Sequence, residues 1–146
     1  MKLVIDTNVL IPGIFWKGIP YKILENWLNG HFEVFISATI LAEYEKVLIR
    51  IESGLTSEEI QEWIELILTH SSISTPFENE NLKVIEADPE DDKFIECALS
   101  CQANYIISGD KHLLNLKNYE GIEIVSPAEF FKRNSDLFST PQKKEV

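Results

Sequence analysis

The sequence predicts an α/β fold with a central, mainly parallel β-sheet and helices on both faces. Short apolar runs alternate with stretches of helical periodicity along the whole 146-residue chain. Polar residues, several of them acidic, follow the apolar runs where strands are expected to end. Together these observations favour βαβ units, whose parallel strands all finish along one edge of the sheet.

The first strand is predicted over Leu3–Ile5, and Asp6, Thr7 and Asn8 follow it directly. Open α/β sheets bind ligands at the carboxyl ends of their strands, so Asp6 stands where such a fold places a site. Alternatively, Asp6 caps the next segment and Asn8 forms a turn. This stretch alone does not decide between a site and a cap.

The next elements follow from punctuation by proline and glycine. Residues Val9–Ile19 contain both and are predicted to form a connection, and a first helix is expected from Pro20 until Gly30. A second strand over Glu33–Ser37 then leads into a helix over Ala38–Arg50.

Two acids border the apolar stripe of that second helix, and the helical wheel does not choose between them. Glu43 and Glu45 flank opposite sides of the stripe. Glu43 lies nearer the helix start and therefore nearer the strand end, which favours it modestly as the acid that faces the edge of the sheet.

A capping box begins the third helix. Thr56 is the N-cap and Glu59 stands three residues later, and the preceding helix is expected to pair with this one in an αα-hairpin. The polar stretch 70–82 is predicted as a loop with a short extended piece around Ile73, and a weaker strand is expected at Val84–Ile85.

The densest acidic run of the chain, Asp88–Asp92, opens the next predicted helix, with Pro89 in its first turn. The helix dipole favours one or two acids there, whereas this run holds four in five residues. A further strand over Tyr105–Ile107 then repeats the opening theme, because Ser108 and Asp110 follow it.

The last predicted elements are a strand over Ile122–Ser126 and a helix from Pro127. We expect one domain over residues 1–133 and a polar, flexible tail over residues 134–146. The chain start is too short and too quickly acidic for a signal peptide, and no apolar run approaches the length of a membrane helix, so a cytoplasmic protein is expected.

The net charge of −11 argues against a protein that grips nucleic acid through a broad basic surface. It leaves open a nucleic-acid enzyme whose carboxylates reach the substrate through divalent cations. In a parallel sheet Asp6, Glu43, the Asp91–Asp92 pair and Asp110 would converge on one edge.

Clustered carboxylates repel one another unless cations bind there, and an all-oxygen site without thiol or imidazole suits Mg²⁺ or Mn²⁺. One or two such ions could support hydrolysis of a phosphodiester bond. Thr7, Asn8 and Ser108 could orient the carboxylates or bound water.

The sequence resembles the PIN-domain ribonucleases, in particular the VapC-like branch of toxin components from bacterial toxin–antitoxin systems. The resemblance covers residues 1–133 and lies in five motifs that occur in order. These are Val4-Ile5-Asp6-Thr7-Asn8-Val9-Leu10, Ile36-Ser37 with Leu41-Ala42-Glu43, Asp88-Pro89-Glu90-Asp91-Asp92-Lys93-Phe94, Tyr105 to Leu114, and Ser126 to Phe131.

This resemblance implies a Rossmann-like three-layer α/β/α sandwich with a mainly parallel sheet of about five strands. It also implies a homodimer that cuts single-stranded RNA with Mg²⁺ or Mn²⁺, and a small antitoxin protein encoded nearby. The metal-holding acids would be Asp6, Glu43, Asp110 and either Asp91 or Asp92. The family favours an acid two positions after the Asp110 equivalent, where this chain has His112.

Two other functions are weighed against the sequence. A catalytically silent PIN-like module could bind RNA or a protein, whereas a phosphatase with a phospho-aspartate is disfavoured because Asp6 lacks a second acid two residues on. Candidate RNA contacts near the edge are Lys17, Lys46, Lys93 and Lys111, although each is better explained as an ordinary surface lysine.

Overall fold

The computed structural model describes residues 1–51, 54–75 and 92–139, which form a six-stranded sheet flanked by helices. The strands are β1 (Lys2–Ile5), β2 (Glu33–Ile36), β3 (Ser71–Ile73), β4 (Tyr105–Ile107), β5 (Asn118–Tyr119) and β6 (Ile122–Val125). The helices in these ranges are α1 (Thr7–Phe15), α2 (Ile19–Leu28), α3 (Ala38–Arg50), α4 (Ser57–His70), α5 (Asp92–Cys101), α6 (Lys111–Leu114), α7 (Pro127–Arg133) and α8 (Ser135–Ser139).

Strand β1 lies near the centre of the sheet, whose order is β3-β2-β1-β4-β6-β5. Leu3 pairs with Val34 of β2 on one side and with Tyr105 of β4 on the other, both in parallel register. Only β5 runs antiparallel to its neighbour among these strands. The predicted mainly parallel sheet is therefore confirmed, and the carboxyl ends of β1, β2 and β4 lie side by side.

The core surrounds these central strands. Leu3, Val4 and Ile5 are fully buried because helices cover the sheet, and α5 packs across β1, β2 and β4. Buried Phe94 and Ala98 belong to the face of α5 that does so. Burial on both faces explains why β1 is a continuous apolar run instead of an alternating one.

Most predicted helices are confirmed. Helix α2 begins beside Pro20, α3 spans the expected residues, and α4 begins after the capping box, in which Thr56 and Glu59 bond reciprocally. The short extended piece near Ile73 is β3. Val84–Ile85 and the acidic residues from 88 to 91 lie outside the described ranges.

The predicted connection over Val9–Ile19 is wrong, because α1 occupies most of it with Pro12 inside the helix. Tertiary packing overrides the breakers: Val9, Leu10 and Ile11 are buried, and α1 packs closely on α2. Glycine is needed for that approach, since a Cβ on Gly13 would lie 2.9 Å from Leu24 Cδ1 and 3.0 Å from the Pro20 carbonyl oxygen.

The segment predicted as a flexible tail begins with the short helix α8. Its Phe138 ring packs against the rings of Phe130 and Phe131, at centroid distances of 6.1 and 4.6 Å. Residues 140–146 lie outside the described ranges. Within the described part of the chain no helix is long and apolar enough to cross a membrane.

Candidate active site

Asp6 stands at the carboxyl end of the central strand, next to the end of β4. Its backbone N–H donates to the Ile107 carbonyl at 2.9 Å, so strand pairing continues one residue past β1. Ser108, the first residue after β4, is fully buried, and Asp6 is only 3% exposed. Strand register thus fixes these two polar residues beside each other below the surface.

The Ser108 hydroxyl links two of the predicted site acids. Ser108 Oγ donates to Asp6 Oδ2 at 2.6 Å and accepts the backbone N–H of Asp110 at 2.9 Å. Asp6 occupies the N-cap position of α1 but makes no capping hydrogen bond of standard geometry. The Asp6 carboxylate thus faces the edge of the sheet, where Ser108 binds it, although it stands at the N-cap of α1.

The surroundings of Asp6 disfavour its charge. Burial, with a smaller contribution from the carboxylates of Glu43 and Asp110, raises the pKa of this carboxyl from 3.8 to about 6, against the opposing hydrogen bonds from Ser108 and the Asn8 backbone. Among the described residues, the charged groups that act on this pKa are thus both acids. A carboxylate held this way has its ionised form stabilised by any cation that binds beside it.

Glu43 is held from two sides at the same edge. Thr7 Oγ1 donates to Glu43 Oε2, and Lys93 forms an ion pair with Glu43 Oε1. The side chains of Lys93 and Glu43 are 16% and 24% exposed, whereas Glu45 points to solvent. Of the two acids that the helical wheel left open, the structure brings Glu43 to Asp6 and leaves Glu45 outside.

Tyr44 anchors this part of α3 to the central strand. Its buried hydroxyl donates to the carbonyl of Ile5, the last residue of β1, and burial raises the pKa of this phenol well above its ordinary value. The sequence pattern assigned Tyr44 only to the apolar stripe of α3. A phenol among aliphatic core residues is the signal that a buried acceptor had to be nearby.

Asp110 and Asn8 join the start of α1 to the loop after β4. Asp110 is the N-cap of α6, and its Oδ1 accepts the backbone N–H of His112 at 2.9 Å. Asn8 Oδ1 accepts the N–H of Gly109 at 3.0 Å. The side chain of His112 is exposed beyond this contact.

Asp92 begins α5 and is buried, at 7% exposure. Burial raises the pKa of the Glu96 carboxyl, and the Asp92 carboxylate adds to this rise. Asp91 lies outside the described ranges, so the predicted choice between Asp91 and Asp92 stays a prediction.

The donor set matches a hard divalent cation in chemistry, since every predicted ligand offers oxygen and Asp6 is a buried carboxylate facing other acids. Yet among the described residues no three acid, histidine or cysteine side chains surround one point closely enough to hold a metal ion. Lys93 supplies the positive charge at Glu43 in this arrangement. Metal ligation by Asp6, Glu43 and Asp110 together would require these side chains to move.

The four candidate lysines differ in their surroundings. Lys93 pairs with Glu43, and Lys17 lies over the Tyr21 ring with 5.9 Å between Nζ and the ring centroid. Lys46 and Lys111 are exposed. Arg50 was not predicted as a contact, although its spacing of four from Lys46 on α3 is a signal that it shares that face.

Comparison with known proteins assigns the chain to a family. The sequence model of the PIN domain matches residues 2–112, and the chain belongs to this family. The chain has no significant match among curated proteins. Among solved structures it is similar to VapBC2 from Rickettsia felis bound to a DNA fragment from its promoter, with a TM-score of 0.57 and 15% identity over 85% of this chain and 97% of that one. This likeness extends the shared fold beyond the residues that the family model matches.

Proposed function

We propose that this protein is a Mg²⁺- or Mn²⁺-dependent endoribonuclease that hydrolyses phosphodiester bonds of single-stranded RNA. The observation that carries the proposal is the buried Asp6 carboxylate at the end of the central strand, with Glu43 and Asp110 acting on it. Membership in the PIN family supports the nuclease assignment. Because the chain carries a net charge of −11, these acids would repel RNA unless a cation bound between them and the substrate.

Asp6, Glu43, Asp110 and one of Asp91 or Asp92 would hold one or two ions. A bound divalent ion would supply activation of water and stabilisation of the leaving oxygen. Ser108 keeps the Asp6 carboxylate oriented, and Thr7 does the same for Glu43. Asn8 fixes the loop that carries Asp110 against the start of α1.

We also assign the protein to a toxin–antitoxin pair, as a cytoplasmic toxin that forms a homodimer and binds a small antitoxin encoded nearby. The support is that a solved structure of the same fold is VapBC2 with promoter DNA. Co-expression of the tagged chain with the product of the neighbouring reading frame should yield a stoichiometric complex. Recovery of the tagged chain alone would contradict the pairing.

The nuclease proposal is tested by incubating the purified chain with labelled single-stranded RNA and Mg²⁺ or Mn²⁺. Asp6→Asn and Glu43→Gln should each lower cleavage by about a hundredfold or more, because each removes a charged ligand. Glu45→Gln is the matched control on the same helix and should keep full activity, since Glu45 is exposed. Cleavage by Asp6→Asn at the wild-type rate would reveal a contaminant and overturn the proposal.

The Lys93–Glu43 ion pair favours one alternative, a silent PIN-like module that binds RNA or protein without turnover. In that case Lys93 would be the permanent partner of Glu43. RNA retention with no cleavage under any divalent ion would support this alternative.

Asp91→Asn and Asp92→Asn, compared in the cleavage assay, would identify which of the two acids takes part in the proposed nuclease site.

A further inference from the structure

A cleft of about 520 Å³ opens beside Glu43, between α3 and α5. The charged residues that line it, in the part of the chain that the structure describes, are Glu43, Lys46, Arg50 and Lys93. Among the described residues, three cations and one acid therefore line this cleft, in a chain that carries 13 basic and 24 acidic residues. The local excess of positive charge is opposite to the net charge of the molecule.

The cations are arranged as a line that starts at the candidate active site. Glu43, Lys46 and Arg50 follow one another by three and four residues on α3, so they lie on one face and span about 10 Å along the helix. Lys93 faces them from α5 and pairs with Glu43. Arg50 ends α3, where the helix dipole favours a cation, but the dipole explains neither Lys46 nor Lys93.

Lys46 and Arg50 are exposed and form no ion pair with any of the described residues, although acids are abundant in this chain. Two exposed cations in one cleft form a site for a polyanion. No aromatic side chain is among its described lining residues, so the cleft offers charge without a stacking surface for bases.

We infer that this cleft holds the phosphodiester backbone of single-stranded RNA on one side of the scissile bond, with Lys46 and Arg50 contacting phosphates. The inference rests on the proposed function for its substrate and deepens it. It gives the substrate a path from the Asp6–Glu43 edge along α3. Contacts of this kind read charge and not base identity, so the cleft contributes affinity with little sequence preference.

The test compares Lys46→Gln/Arg50→Gln with a matched control, Lys117→Gln/Lys132→Gln. The control removes the same charge from exposed lysines that do not line the cleft. Binding of a short fluorescein-labelled RNA is followed by anisotropy in EDTA over a range of KCl concentrations, so that cleavage does not enter the measurement. The cleft variant should bind at least about tenfold more weakly and reduce the slope of log K against log [KCl] by about 1.4, the value for two lost phosphate contacts. The control should change neither quantity.

Turnover gives a second readout that separates the inference from the proposed function. With Mn²⁺ present the cleft variant should raise KM with little change in kcat, because the lost contacts lie away from the reacting phosphate. A variant that keeps the wild-type KM and salt slope in a protein that cleaves RNA would overturn the inference and leave the nuclease proposal standing. A wild-type chain that binds RNA with the expected salt slope but never cleaves it would overturn the nuclease proposal and leave the inference about the cleft standing.

Poly-L-glutamate tests whether the occupant is RNA or an acidic protein segment. RNA should bind more tightly than poly-L-glutamate of equal charge. If the peptide binds as tightly as RNA and the cleft variant loses both, the cleft is a general site for acidic polymers and the assignment to RNA is overturned.

Discussion

Asp6 is the residue where the constraints of the fold and of the proposed chemistry conflict most directly. Strand pairing buries it, the Ser108 hydroxyl orients it, and burial with two neighbouring acids raises its pKa to about 6. A neutral side chain would fit this position better in the absence of a cation. A carboxylate kept at a site that penalises its charge indicates that the charge has a use.

The first prediction concerns the stability of the metal-free protein. Because the folded-state pKa of Asp6 exceeds its ordinary value of 3.8, the folded state binds this proton more tightly than the unfolded state. The resulting stabilisation is fully present below about pH 4 and is lost as the pH rises through about 6. In EDTA, Asp6→Asn should therefore be more stable than wild type by up to about 3 kcal/mol at about pH 8, and this advantage should shrink to near zero at about pH 4.

Urea denaturation across this pH range measures the difference. Glu45→Gln is the control for the loss of one negative charge, and its exposed position predicts a change below about 0.5 kcal/mol. A stability difference between wild type and Asp6→Asn that stays constant with pH would show that Asp6 does not titrate as described.

At the scale of elements, α1 shows how packing sets local structure. The segment holds Pro12 and Gly13, yet it is helical because its apolar residues are buried and because Gly13 lets α1 approach α2 closely. The start of this helix carries Thr7 and Asn8 to Glu43 and Gly109. The packing of α1 against α2 therefore also holds the polar residues of the site edge.

The second prediction is that Gly13→Ala destabilises the fold by about 1–3 kcal/mol, although alanine favours helices intrinsically. The added methyl group would meet Leu24 and the backbone carbonyl of Pro20, and the carbonyl cannot rotate away as a side chain can. Gly18→Ala is the control, because the nearest atom to its Cβ is 3.9 Å away and its extended backbone suits any residue. Its cost should stay below about 1 kcal/mol. Thermal unfolding of both variants makes the comparison, and equal losses would rule out the steric explanation.

For the whole molecule, the negative charge and the site are linked. A net charge of −11 makes the chain repel nucleic acid, so the proposed binding of RNA would depend on local cations beside the edge of the sheet. The cleft beside Glu43 gathers Lys46, Arg50 and Lys93 there. Divalent ions at the proposed acids would add positive charge at the same edge.

The third prediction is that Mn²⁺ or Mg²⁺ stabilises the whole fold. A ligand at a hundredfold excess over its dissociation constant adds about 2.7 kcal/mol, which corresponds to about 2–4 °C in Tm for each kcal/mol in a domain of this size. Asp6→Asn and Glu43→Gln should lose this shift, and KCl at equal ionic strength should not produce it. An equal shift in wild type and Asp6→Asn would place the metal elsewhere.

Local sequence determined much of the fold. Apolar runs marked β1, β2, β4 and β6, prolines and a capping box marked α2, α4 and α7, and the apolar stripe marked α3, because these signals act over a few residues. The two-residue strand β5 was not predicted, because it is too short for a periodic pattern and forms through its pairing with β6. Helix α1 was not predicted, because packing against distant residues outweighs the helix-breaking tendency of its proline and glycine.

The site divides in the same way. Sequence placed Asp6, Ser108 and Asp110 after strands, and the alternation of strands and helices predicted that those strands run parallel. Only the tertiary structure decided that Glu43 and not Glu45 faces the site edge, where it bonds to Thr7 and Lys93, and that Tyr44 ties α3 to β1. These are contacts between residues far apart in the chain. Strand periodicity fixes which residues reach an edge, whereas side-chain pairing across that edge depends on how separate elements pack.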